Sequence, residues 1–84
     1  MTPGQLLQRF LAEEASLDLV DMILGILGQR TSGVEYLAFN VFNVRIDIDM
    51  QTALIEDELD PDAEEGLSLD AFRAALETYR SEHR

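Results

Sequence analysis

Apolar residues recur along this chain with the period of a helix, then with that of a strand, then with that of a helix again. Leu6, Leu7, Phe10 and Leu11 form one apolar face at helical spacing. Just upstream, Thr2 is placed to cap, Pro3 suits the first helical position, and Gln5 completes a capping box. A second helical start follows at Ser16, with Asp18 in the first turn, where the helix dipole favours an anion. Leu17, Val20, Ile23, Leu24 and Leu27 continue the stripe, and Gly28 supplies a stop. Residues 3–28 therefore read as a short helix, a break near Ala15 and a longer helix, with one kinked helix as the alternative. Gln29 to Gly33 reads as a loop.

From Val34 the period becomes two. Phe42, Val44, Ile46 and Ile48 alternate with Asn43, Arg45, Asp47 and Asp49, the pattern of a half-buried strand. Tyr36, Leu37, Phe39 and Val41 are apolar on both faces, which points to fuller burial or to a bulge near Asn40. Phe39 and Val41 fall on the strand face opposite Phe42 and Val44, to be covered by a helix or offered to a partner. The segment Asp49 to Thr52 can turn the chain so that a strand beginning at Ala53, Leu54 and Ile55 pairs back. Pro61 is expected to end that strand, and an acidic loop to run to Gly66. Ser68 then caps a last helix with Leu69, Phe72, Ala75, Leu76 and Tyr79 on its apolar face. Arg80, His83 and Arg84 sit at its C-terminal end, where the dipole favours cations. The fold class is α+β: two N-terminal helices, a β-hairpin and a C-terminal helix in one small domain spanning residues 1–84.

Charge changes this picture more than size does. Seventeen acids face six bases, a net of −11 among 84 residues, and every base is an arginine. Glu56, Asp57, Glu58, Asp60, Asp62, Glu64 and Glu65 place seven acids and no base within ten residues, so most of the excess is local. Such a surface repels nucleic acid and anionic membranes and attracts basic proteins. With Asp47 and Asp49 at the end of the alternating strand, these carboxylates form the candidate partner-binding set. There is no cysteine, which excludes disulfides and thiolate metal sites. The longest oily stretch, Leu17 to Leu27, is too short to span a bilayer and is broken by Asp18 and Asp21. Met1 to Gln5 lacks the basic start of a signal peptide, and the chain is expected to be cytoplasmic.

Catalytic chemistry finds little to work with. The one histidine, His83, lies next to the last residue, where a fixed general-base geometry is hard to maintain. The five glycines are scattered and make no phosphate cradle. Asp60, Asp62 and Glu64 offer oxygens at alternate positions, as a calcium loop would. Gly66 then falls one place late for the sharp turn, and Ala71 stands where the bidentate glutamate belongs. The expectation is no enzyme, no metal and no cofactor.

Small, acidic, cysteine-free chains of this type resemble the immunity proteins of bacterial toxin systems, as in contact-dependent growth inhibition. The segments Phe42 to Asp49 and Ile55 to Asp62 carry the resemblance, which is one of overall type and brings no residue assignments. It implies a stoichiometric inhibitor that neutralises a basic toxin, a nuclease first among them, with Tyr36, Phe39 and Tyr79 as anchors if exposed. The alternative is a dimeric adaptor or regulatory subunit acting through strand edges and apolar patches, and a homodimer joined by strand edges belongs to it.

Overall fold

The computed structural model describes residues 4–83, apart from the side chain of Pro61. Two helices, α1 (Gln5–Glu13) and α2 (Leu17–Gln29), precede β1 (Val34–Ala38), β2 (Phe42–Asp47), β3 (Thr52–Asp57) and β4 (Asp60–Ser68), and α3 (Leu69–Glu82) closes the chain. The α+β class and the three helices agree with the sequence pattern. The expected hairpin is instead a four-stranded antiparallel meander in the order β1-β2-β3-β4.

Both added strands have physical reasons that the local sequence hides. The bulge expected near Asn40 is a full reversal, closed where the Phe39 amide donates to the Phe42 carbonyl at 2.8 Å. It carries no glycine, and its stability comes from far away. The Glu14 carboxylate, in the break between α1 and α2, accepts the amides of Asn40 and Val41. The acidic loop expected after Pro61 is β4. Aspartate, glutamate and proline have poor strand propensity, but at a sheet edge a proline has no ladder bond to forfeit and charge is tolerated.

Smaller corrections follow the same logic. The turn placed at Asp49–Thr52 spans residues 48–51, because the Asp47 carboxylate accepts the Met50 amide at 3.0 Å and Gln51 takes a positive φ of 57°. Gly28 does not stop α2, which runs one residue further and leaves through Arg30 in an extended conformation. The glycine that the chain needs here is Gly33, at φ 91°, where an added Cβ would lie 2.6 Å from an Arg30 guanidinium nitrogen. Ser16 and Ser68 cap α2 and α3 as expected, accepting from the amides of Leu19 and Ala71. The cap proposed at Thr2 and Pro3 lies outside the described residues, as does Arg84.

The helices cover one sheet face. Phe42, Val44, Ile46, Ala53 and Ile55 point into a core shared with Phe10, Val20, Ile23, Phe72 and Leu76. Phe10 sets the aromatic centre, edge-on to Phe42 at 5.8 Å and tilted against Phe39 at 5.7 Å. Phe39 thus packs on the core instead of facing a partner. The other sheet face is open. Cross-strand register places Val34, Tyr36 and Ala38 of β1, Asn43 and Arg45 of β2, Leu54 and Glu56 of β3, and Glu64 of β4 on it.

Candidate protein-binding surface

The carboxylates singled out in the sequence separate into two groups once the chain is folded. The first group is used by the fold. Asp57 is only 7% exposed; it accepts the Leu59 amide at 2.9 Å and the Arg9 guanidinium at 3.1 Å. Arg9 also bonds Glu13, and the two carboxylates, Glu13 first, raise its pKa above the ordinary arginine value. Asp47 is buried at the β2–β3 turn and lies 3.5 Å from Arg45. Asp49 accepts the Gly33 amide at 3.3 Å, tying that turn to the start of β1.

Glu65 has the least local role. One of its carboxylate oxygens accepts the amides of Leu6 and Leu7 at 2.9 and 3.0 Å, from the far end of the chain. Its necessity follows from α1 itself. Gly4, the capping residue, offers no side chain, and no acid lies in the first turn. A carboxylate there satisfies two orphan donors and faces the positive end of the helix dipole. Glu65→Ala is expected to cost about 2 kcal/mol, as for a lost charged cap. Urea denaturation reads the loss, and hydrogen exchange should show the Leu6 and Leu7 amides losing protection first. Unchanged protection at those two amides would remove Glu65 from this role.

The second group does little for the fold, since among the described residues only Asp60 serves it, accepting the Asp62 amide at 3.2 Å. Glu58, Asp60, Asp62 and Glu64 are exposed and Glu56 is half-buried, and among the described residues none of the five forms an ion pair. Glu58 sits in the β3–β4 turn, and Asp60, Asp62 and Glu64 run along the β4 edge. Glu56 and Glu64 are direct cross-strand partners on the open face. Like charges so placed destabilise a sheet. Beside them, Asp60, Asp62, Ala63 and Glu64 face Gln5, Leu6 and Arg9 of α1 across a shallow cleft of about 180 Å³.

The aromatic candidates also divide. Tyr79 donates to the Ala15 carbonyl at 3.0 Å and stacks on His83, so it is held by the fold. Tyr36 stands 71% exposed on the open face, with the Arg45 guanidinium 5.9 Å from its ring centre. Sequence reasoning passed over Arg45, whose only local signal was its place in the alternating strand. It also passed over a larger groove between α1 and α3, about 570 Å³, lined by Leu11, Ala12, Ala74, Ala75 and Tyr79 among others.

The calcium pattern at Asp60, Asp62 and Glu64 lies on an extended strand instead of a loop between helices. Among the described residues no group of three or more acids or histidines is arranged to hold a metal ion. No described helix is long and apolar enough to cross a membrane. No family model matches this sequence, and no curated protein or solved structure matches it.

Proposed function

We propose that this chain is a non-enzymatic binding module that meets a basic protein through the acidic ridge of Glu58, Asp60, Asp62 and Glu64, with Glu56 behind it. In the form favoured by its overall type, it acts as an immunity protein that neutralises a basic toxin, a nuclease in the first instance. The carrying observation is the pairing of Glu56 with Glu64 across β3 and β4, continued by three more exposed acids without an ion-pair partner among the described residues. This charge costs the fold something, and among those residues the fold draws from it only one local hydrogen bond, from the Asp62 amide to Asp60. A nuclease surface is basic because it must hold phosphates, and a dense acidic ridge steers such a surface into encounter. The β4 edge is the place where arginines of the partner would dock against these carboxylates, and contacts of that kind, once desolvated, lengthen a complex's lifetime.

The test is co-expression with the product of the neighbouring gene, scored for rescue of growth and for a stable complex. The expected complex covers the β3–β4 turn and the β4 edge. A cognate complex that leaves Glu58, Asp60, Asp62 and Glu64 in bulk water overturns the proposal.

A further inference from the structure

We propose that two copies of this chain join through the free edge of β1, about a two-fold axis at Tyr36, into one continuous eight-stranded antiparallel sheet. The two sheet edges are built differently. The β4 edge carries Asp60, Pro61, Asp62 and Glu64, the charges and proline that keep other strands away. The β1 edge, Val34-Glu35-Tyr36-Leu37-Ala38, has neither proline nor a free charge, since Glu35 is paired with Arg30. Helix–sheet contacts are concentrated between α1 and α3 on one hand and β3 and β4 on the other, away from β1.

The occupant follows from the register. The Phe39 amide donates to the Phe42 carbonyl at one end of the β1–β2 ladder, and the Ile48 amide donates to the Gly33 carbonyl at the other. Antiparallel ladders alternate, so Gly33, Glu35, Leu37 and Phe39 spend their backbone groups on β2. The N–H and C=O groups of Val34, Tyr36 and Ala38 therefore face outward. These three positions are symmetric about Tyr36. A second β1 running antiparallel sets Tyr36 opposite Tyr36 and Val34 opposite Ala38, with about six backbone hydrogen bonds, two for each of three pairs. No charge meets its like directly, because Glu35 falls opposite Leu37.

Charge favours this edge over any other for self-association. Each copy carries a net charge of −11. Joining at β1 keeps the two acidic ridges at opposite ends of the combined sheet, each roughly 14 Å, or three strand spacings, from the junction. That distance exceeds the screening length of about 8 Å at physiological salt. Near 0.01 M salt the screening length grows to about 30 Å and the two acidic copies repel, so the dimer is strengthened as salt rises from there, whereas binding of a basic partner to the acidic ridge is weakened. This opposite sign makes the inference independent of the proposed function.

Sedimentation of the whole chain over a range of concentrations at low and high salt is the first measurement. A monomer–dimer equilibrium that shifts toward dimer as salt rises is expected, and Tyr36→Glu should abolish it by setting two carboxylates face to face. The second measurement uses the absence of native cysteine. Hydrogen-bonded antiparallel partners have Cα atoms about 5.5 Å apart, within disulfide reach. With oxidised glutathione as the oxidant, the thiolate of one Tyr36→Cys copy attacks the mixed disulfide on the other and expels glutathione, so this variant should form covalent dimers about tenfold faster than Met50→Cys. Met50 is as exposed as Tyr36 and lies in the β2–β3 turn. A chain that stays monomeric at high concentration and high salt overturns the inference and leaves the edge to a strand of another protein. Equal crosslinking of the two variants also overturns it.

Discussion

Converting Glu58, Asp60, Asp62 and Glu64 to glutamine or asparagine should slow association with a basic partner by about tenfold or more at low salt. Raising the salt shortens the screening length to about 3 Å near 1 M, and there the parent and the variant should associate at nearly the same rate. The choice of residues matters. A set that included Asp57 would also release Arg9 and the Leu59 amide, and the resulting loss of structure would be mistaken for a loss of steering. Glu65 must be spared for the same reason, because it holds the start of α1. The four chosen side chains are exposed, and their isosteric replacement removes repulsion without opening the core. Folding stability should change by less than about 0.5 kcal/mol, as for surface positions generally. Stopped-flow mixing at several ionic strengths reads the rate, and an unchanged low-salt rate in a folded variant rejects the ridge as a steering surface.

The second large effect lies in the core. Phe10→Ala should cost about 3–5 kcal/mol, the range for deleting a buried phenyl ring and leaving part of its volume empty. Phe10 is 0% exposed and lies between Phe39, which closes the β1–β2 reversal, and Phe42, which opens β2. One side chain thus joins the first helix to the sheet at the turn that sequence reading missed. A chain of 84 residues has total stability on the order of 4–12 kcal/mol. The substitution should therefore remove at least about a quarter of that stability. Urea denaturation followed by circular dichroism measures it. A loss below about 1 kcal/mol, typical of an average single substitution, would mean that Phe10 is not the centre of the core.

The ridge and the core ring illustrate different degrees of legibility. Ser16, Ser68 and the stripes Leu69, Phe72, Leu76 and Val20, Ile23, Leu27 were readable because capping and helical burial depend on neighbours within a few residues. The alternation Phe42, Val44, Ile46 was readable for the same reason. Acidic residues were readable as a mass of charge, but not as individuals. Asp57 and Glu58 are adjacent in the chain, yet one is buried against Arg9 and the other is exposed in a turn. Strand alternation alone cannot assign those roles, since it depends on which face the helices cover.

By itself the amino-acid sequence determined the helices, the central strand, the sign of the surface and the place where charge accumulates. All of these are set by local spacing and composition. The tertiary structure decided the rest: that a reversal without glycine holds because Glu14 reaches it from the helix break, that an acidic and proline-bearing segment is an edge strand, and that Glu65 caps a helix some sixty positions away. Each of these depends on a partner distant in the chain, whose hydrogen bonds outweigh the small local preferences of the residues they order.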